Sequence, residues 1–298
     1  MQIQIEPKIL INMENDFEKT VLKVETPRFV PFRENNILPL CPTTFKLADP
    51  SLRIHATSAF FPMFAGILQN IFEPRDFVER VTLDKVATPV GFQALAEGSI
   101  DILCSTIPSD EQMEDLRLSK RKLEFVPFSK EPLAFLVNKA NSVEDLTVAQ
   151  VKDAYFGRVS NWSELDGPDM EIQTYQLEHG NGSQSAFEQM VRGNKIDKEH
   201  TEVHTMPGII DKVALDKGGI CYAYWSFYAK MYANKLTKML KVEGEEVTSK
   251  QYPFLYDVYL MFDRQNKNPN VARLVEFVTS TEGKMMVDKC NECQRHVD

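Results

Sequence analysis

Residues 171–191, EIQTYQLEHGNGSQSAFEQMV, combine a short strand pattern, a glycine-rich turn and the start of a helix. In the turn, Gly180 and Gly182 alternate with small polar residues, and a capping box of Ser185 and Glu188 predicts where the helix begins. A helix that starts from such a turn points unpaired backbone N–H groups and the positive end of its dipole at whatever lies in front. The stretch therefore indicates an anion site, with a well-capped loop as the simpler interpretation.

Two more strand-to-helix junctions carry the same chemistry. Thr57 and Ser58 follow a strand pattern and precede a helix pattern, and Thr88 is predicted as an N-cap with Pro89 at the first helical position. In open α/β sheets ligands bind at the carboxyl ends of strands, so junctions of this kind can converge on one oxyanion. Serine and threonine are preferred N-caps in any protein, so each junction taken alone is more simply explained as structural.

From Leu52 onward, short apolar strands alternate with amphipathic helices, which predicts an α/β fold. LEFVPFSKEPLAFLVNK (123–139) is predicted as two strands and YPFLYDVYLMF (252–262) as one alternating strand. The aromatic run YAYWSFYAKMY (222–232) could form a stacking platform, but its alternation favours a buried strand that enters a helix.

The first 50 residues differ from the rest of the chain. QIQIEPKILINM (2–13) and KTVLKVE (19–25) are rich in β-forming residues and are separated by a polar stretch, which predicts a hairpin. RFVPFRENNILPLCPTT (28–44) then has the proline punctuation of a linker.

The composition is that of an ordinary globular protein and disfavours some partners. The chain has 298 residues, of which 43% are hydrophobic and 26% charged, enough for two lobes with separate cores. Its net charge of -9 argues against nucleic acid as a partner, because duplex binding requires a basic surface. No apolar run is long enough for a membrane span, and MQIQIEPKIL (1–10) lacks a secretory signal pattern, which predicts a cytoplasmic location.

The cysteines and histidines give weak metal signals. Five cysteines, an odd number, fit a reducing compartment better than a disulfide framework. Cys290, Cys293 and His296 could supply three ligands, but no fourth is evident nearby, so a frayed terminal segment is favoured over a metal site. His200 and His204 in HTEVH lack the glutamate position of a zinc protease motif, which favours a surface segment.

A longer run carries a specific pattern. Residues 141–191 contain the frame DLT-x-x-Q-V-x-x-x-Y-x-G-x-x-x-N-W-x-E-L-x-G, and GFQALAEGSIDILCST (91–106), ICYAYWSFY (220–228) and LVEFVTSTEGKMMV (274–287) lie around it. In these segments the chain resembles the PstS-like phosphate-binding proteins of ABC transporters, a branch of the type II periplasmic-binding-protein superfamily. The resemblance extends from about Leu52 to the end of the chain.

This resemblance implies two α/β lobes, joined by two crossing hinge strands, with a central ligand cleft. The implied crossings are PLAFLVN (132–138) and PFLYDVYLMF (253–262). The implied boundaries are a β-rich N-terminal extension at 1–50, a discontinuous lobe 1 at 51–134 and 255–298, and lobe 2 at 135–254. An ABC permease is the implied partner, and the implied location is periplasmic or extracellular, in conflict with the missing signal pattern. No cofactor and no catalysis are expected.

The resemblance also implies a set of ligand-binding residues, carried over position by position. The implied set is Thr57, Ser58, Thr88, Thr106, Gly180, Asn181, Gly182 and Ser183.

The chain departs from the family pattern at two charged positions. The family's fourth loop has the frame R-x-x-G-S-G-T, where Leu177 here replaces the arginine, and Thr106 stands where an acidic residue is expected. Both losses remove charge-assisted contacts to a protonated phosphate. His55 and His179 flank these loops and are candidates to restore positive charge, with solvent-facing histidines as the alternative.

The sequence supports two functions from different classes. The first is a solute-binding protein that encloses a small oxyanion, most simply phosphate, and closes its lobes on it. The alternative is an intracellular sensor or interaction module with altered or lost anion binding, suggested by the lost charges and the missing signal. An enzyme is disfavoured, because no catalytic motif is present and Cys104 is the only thiol to test as a nucleophile.

Overall fold

A nine-stranded mixed sheet organises the protein, whose computed structural model describes residues 17–48, 50–192 and 201–292. The strands of the described residues are β1 Val21–Lys23, β2 Leu52–Thr57, β3 Val81–Val86, β4 Ile102–Ser105, β5 Leu123–Asn138, β6 Asp145–Leu146, β7 Gln173–Leu177, β8 Thr201–Val203, β9 Gly219–Tyr224, β10 Tyr232–Asn234, β11 Thr237–Met239, β12 Lys241–Val242 and β13 Leu255–Asp263. The helices are α1 Phe61–Ile71, α2 Pro74–Arg80, α3 Thr88–Glu97, α4 Asp110–Leu118, α5 Val148–Tyr155, α6 Gly182–Val191, α7 Met206–Leu215, α8 Trp225–Lys230, α9 Pro269–Thr279 and α10 Thr281–Glu292.

The order of the strands divides the sheet into two halves. It runs β3-β2-β4-β13-β5-β9-β7-β8, with parallel pairs at each end and antiparallel β13 and β5 between them. The ninth strand, β11, lies off this order and pairs antiparallel with the end of β5. β5 pairs with β13 along its first part and with β9 along its last part, so it crosses from one half to the other. The predicted α/β fold, with two lobes and crossing strands, is confirmed. We call the half that contains β2, β3 and β4 the first lobe, and the half that contains β7, β8 and β9 the second lobe.

β5 is one continuous strand, where the sequence predicted two. Its prolines are placed where a missing N–H costs little: Pro127 pairs with Tyr259 beside a register shift in β13, and Pro132 pairs with Leu255, the first residue of β13. A strand of 16 residues is therefore compatible with two internal prolines.

The helix starts correct two sequence predictions and confirm a third. Thr88 is the first residue of α3 rather than its N-cap, which is Ala87, so the threonine hydroxyl does not cap its own helix. Ser185 lies inside α6, and the N-cap is Asn181, whose side chain accepts a hydrogen bond from Ser183 N. Asn181 caps the helix from four residues earlier because an Asx side chain in extended backbone reaches the first amides. The capping box predicted at Thr147 is confirmed.

The N-terminal segment connects the two lobes. Within KTVLKVE, residues 21–23 form β1, which pairs with β10 beside the second lobe. The hairpin partner predicted at 2–13 lies outside the described residues. The chain then follows α1 of the first lobe, where Phe32 N donates to Gln69 Oε1 at 3.2 Å and Cys41 N donates to Asn70 Oδ1 at 2.6 Å. We call residues 21–48 the strap.

The aromatic run at 222–232 is buried, as predicted, and it surrounds a buried carboxyl group. Glu131 on β5 is 1% exposed and accepts hydrogen bonds from Ser226 N and Ser226 Oγ, both at 2.6 Å. Burial raises the pKa of Glu131 from 4.5 to about 7, against the opposing effects of Ser226 and of the Lys230 ammonium.

This shift predicts a pH-dependent stability. The folded-state pKa of Glu131 is raised, so its contribution to the free energy of unfolding is complete below pH 4.5 and is lost as the pH rises through about 7. We expect the wild-type protein to lose up to about 3 kcal/mol relative to Glu131→Gln over this window. Urea unfolding of both proteins between pH 5 and pH 8 tests this, and a difference that does not change with pH contradicts it.

No helix among the described residues is both long and apolar enough to cross a lipid bilayer.

Candidate functional site

Two of the predicted junctions meet across the cleft. At the start of α6 in the second lobe, Gly182 N donates to Thr88 Oγ1 at the start of α3 in the first lobe, at 3.2 Å. A Cβ atom on Gly182 would lie 3.1 Å from Thr88 Oγ1 and 3.5 Å from Thr106 Oγ1. The absence of a side chain at Gly182 therefore allows the two lobes to approach this closely.

Tyr224 completes this contact, and the sequence analysis did not include it in the site. Its hydroxyl donates to Gly182 O at 2.8 Å and lies 2.7 Å from Thr106 Oγ1. Burial raises the pKa of Tyr224, which keeps the phenol protonated. Tyr224 ends β9 and is the N-cap of α8, so it belongs to another strand-to-helix junction, which is the signal that could have identified it.

Thr57 and Ser58 lie at the same edge of the sheet. Thr57 is buried, with its Oγ1 3.4 Å from Cys104 O and 3.4 Å from Ser105 Oγ. Ser58 is half-buried, and its Oγ donates to Val86 O at 3.4 Å. These contacts are long, so both hydroxyls can turn to a ligand at little cost.

The rest of the fourth loop fixes the position of α6. Gly180 has a φ of 82°, a left-handed conformation that favours glycine, and its carbonyl accepts from Gln112 Nε2 at 2.9 Å. Ser183 Oγ lies 3.6 Å from Met206 Sδ, and its role as a ligand-binding residue stays a prediction.

A cavity of about 470 Å³ lies beside these junctions. Five of the predicted site residues line it: Thr57, Ser58, Thr88, Asn181 and Gly182. Tyr224 is also part of the wall, which includes the apolar residues Pro89, Met206, Pro207, Phe227 and Met231 as well.

The strap forms one side of this cavity. Residues 23–26 line it, and Lys85 Nζ of the first lobe donates to Thr26 Oγ1 at 2.7 Å. Val24 N donates to Met231 O at 3.0 Å, so two strap residues separated only by Glu25 are bonded to opposite sides of the cleft. Burial lowers the pKa of Lys85, opposed by the Glu25 carboxylate. Lys85 and the strap residues are wall residues that no sequence motif indicated.

The two histidines proposed to restore positive charge have different surroundings. Burial lowers the pKa of His55 on β2, and the Asp84 carboxylate partly offsets this effect. His55 Nε2 lies 3.6 Å from Asp84 Oδ2 on the neighbouring strand β3. The hydrogen bond to Glu188 raises the pKa of His179, which also lies 3.4 Å from Glu111 of the first lobe. His179 lines the cavity, so it is the histidine placed to carry positive charge there.

The uncharged replacements do not obstruct the cleft. Leu177 is 1% exposed in the core of the second lobe, where its N–H donates to Gln184 Oε1. Thr106 bonds Tyr224, as described above. No arginine is among the residues that line the cavity within the described part of the chain.

The thiol and metal candidates are not supported as reactive groups. Cys104 is fully buried, and burial raises the pKa of its thiol, so the nucleophilic thiolate is absent at neutral pH. Within residues 17–48, 50–192 and 201–292 no cluster of side chains is arranged to hold a metal ion. His200, Cys293 and His296 lie outside the described residues.

The arrangement of lobes and cleft is shared with known proteins. The profile of a family described as PBP superfamily domain matches residues 43–282. The chain belongs to the periplasmic-binding-protein (PBP) superfamily. Its resemblance to PstS-like proteins, inferred from the frame around Trp162, is confirmed.

Individual members of the PBP superfamily are distant in sequence. The phosphate-binding protein PstS of Staphylococcus epidermidis is 23% identical over 223 residues, which cover 70% of this chain and 68% of PstS. The structure of a putative phosphate ABC transporter substrate-binding protein with bound phosphate, from Clostridium perfringens, has a TM-score of 0.64 and 21% identity, and the match covers 82% of this chain and 99% of that chain. The CcmR regulatory domain of Synechocystis, in complex with 2-PG, has a TM-score of 0.51 and 12% identity, and the match covers 76% of this chain and 95% of that chain.

Proposed function

We propose that the protein is a solute-binding protein that holds a small oxyanion, phosphate in the simplest case, between its two lobes. The observation that carries the proposal is the 3.2 Å contact between Gly182 N and Thr88 Oγ1, a donor and a hydroxyl from opposite lobes. An oxyanion that displaced this contact and lay beside both groups would accept a hydrogen bond from each and so favour the closed arrangement over the open one. The names of PstS and of the phosphate-bound Clostridium protein support phosphate as the ligand.

The anion would be held mainly by dipoles and hydroxyls. The starts of α3 and α6 direct their positive ends toward the cleft, each contributing about 0.3 to 2 kcal/mol to binding of an anion. His179 and Lys85 line the cavity and supply positive charge at its edge. Because Leu177 replaces the arginine of the family pattern, this site is expected to bind phosphate more weakly than one with a bidentate arginine.

An ABC permease is part of the same proposal. A solute-binding protein delivers its ligand to a permease through the surfaces of both lobes, and the names of the relatives support that partner. We also propose the lobe boundaries 51–134 with 255–298, and 135–254, because β5 changes its partner from β13 to β9 at Leu133 and β13 begins at Leu255.

The alternative is a sensor or interaction module that binds another ligand or none. One observation favours it: the hydroxyl of Tyr224 already bonds both Thr106 and Gly182, so these groups are satisfied without a ligand. The likeness to the CcmR regulatory domain shows that this fold also occurs in regulatory proteins.

Isothermal titration with phosphate separates the two proposals. We expect binding by the wild-type protein, and we expect Thr88→Val to weaken it about tenfold, because the variant keeps the side-chain shape and removes one hydrogen-bonding group. Thr82→Val, at an exposed position on β3, is the matched control and should bind like wild type. Absence of binding and of thermal stabilisation at millimolar phosphate would favour the alternative.

A further inference from the structure

The cavity beside the junctions is larger than an inorganic anion requires. Its volume of about 470 Å³ lies within the range of about 300 to 1,000 Å³ that is typical of pockets for organic ligands. A phosphate ion placed at Thr88 and Gly182 would fill only a small part of this space, and the rest of the cavity would hold water against apolar side chains.

The lining of the cavity is both polar and apolar. Hydroxyl groups and helix starts line it at Thr57, Ser58, Thr88 and Gly182. Methionine, proline and phenylalanine side chains also line it, at Met206, Pro207, Phe227 and Met231. Burial of carbon against such side chains is favourable, at about 25 cal/mol for each Å² removed from water.

The strap contributes to the wall of this cavity. Residues 23–26 line it, and they precede residues 43–282, the part of the chain that matches the PBP superfamily. The strap brings Lys23 and Glu25 to the wall, and Lys85 and Glu178 also line it. Lys23 and Glu25 form an ion pair at 3.0 Å. Two positive and two negative side chains of this set therefore line the cavity, and such polar groups suit the hydroxyl or ether groups of an organic ligand.

We infer that the ligand is an organic phosphate monoester. Its phosphoryl group accepts hydrogen bonds at Thr88 and Gly182, and its carbon body lies along Met206, Phe227 and Met231. This inference rests on the proposed oxyanion site and names the class of ligand for it.

The test is calorimetric titration of the full chain with inorganic phosphate, glycerol phosphate and phenyl phosphate. We expect phenyl phosphate to bind at least about tenfold more tightly than inorganic phosphate, because its ring replaces water over the apolar side chains. Filling this part of the cavity with Met206→Trp should remove the tenfold advantage of phenyl phosphate over inorganic phosphate.

Two further variants protect the test from misfolding. Phe227→Trp fills the same part of the cavity from α8. Leu215→Trp adds the same ring at a 69% exposed position at the end of α7, and we expect it to leave the affinities for all three ligands unchanged. If inorganic phosphate binds as tightly as both esters in the wild-type protein, the inference is wrong while the oxyanion site stands. If both filling variants weaken all three ligands equally, the inference is also wrong. If no phosphoryl compound binds, the proposed function itself fails.

Discussion

Gly182→Val is expected to lower the affinity for phosphate by more than about 100-fold. A Cβ at this position would lie 3.1 Å from Thr88 Oγ1 and 3.3 Å from Tyr224 Cε2, and valine adds two methyl groups beyond it. Overpacking of this kind costs about 1 to 3 kcal/mol, and it also separates the two junctions that the anion must bridge. The loss therefore has two sources, the strain of closing the lobes and the lost amide contact.

Calorimetry measures the affinity, and circular dichroism establishes that the variant is folded. Gln189→Val is the matched control, because Gln189 is exposed on the same helix α6 and lies about two turns after Gly182. We expect this control to retain wild-type affinity. Wild-type binding by Gly182→Val would show that the phosphate lies elsewhere, and the site at α3 and α6 would have to be abandoned.

Leu22→Pro is expected to accelerate ligand release about thirtyfold, which corresponds to about 2 kcal/mol. Leu22 pairs with Ala233 between β1 and β10, and proline in this position disrupts a ladder that ties the strap to the second lobe. The other end of the strap is fixed on α1 of the first lobe, through Phe32 and Cys41. Releasing one end removes a link that favours the closed arrangement, so the open one becomes more populated.

The comparison with Leu22→Ala separates the backbone ladder from side-chain packing. Alanine keeps the N–H group and the strand, so we expect a much smaller increase in the release rate. Stopped-flow release of ligand gives the rate, and small-angle scattering gives the change in radius of gyration expected from opening. Equal rates in Leu22→Pro and wild type would show that the strap does not hold the lobes together.

Local patterns predicted much of the fold because they depend on neighbours in sequence. The apolar periodicity from Leu52 onward predicted the α/β class, and the capping box at Thr147 marked the start of α5. Trp162 stands in the frame that indicated the family, and its Nε1 donates to Gly218 O at 2.9 Å in a fully buried position. The same local reasoning failed at β5, because the pairing of Pro127 and Pro132 depends on β13, more than 100 residues later.

The candidate site was predicted in part. Thr57, Thr88 and Gly182 were identified because each follows a strand and opens or precedes a helix, and such positions are read from the sequence. Tyr224 was assigned to the core because its aromatic neighbours are buried, and only the packing places its hydroxyl between Thr106 and Gly182. The hydroxyl of Ser183 lies near the sulfur of Met206, the first residue of α7. No sequence pattern around Ser183 predicts this contact.

The sequence by itself determined the class of fold and the polar junctions, since hydrophobic period, capping and turn residues act over a few positions of the chain. It indicated the family through the resemblance of the frame within residues 141–191 to PstS-like proteins. The tertiary structure decided which junctions touch, which charges face the cavity and where the strap lies. Gly182 and Thr88 are 94 residues apart in sequence, and Thr26 and Lys85 are 59 apart. Contacts over such separations are set by how the two lobes pack against each other, and no local pattern encodes that packing.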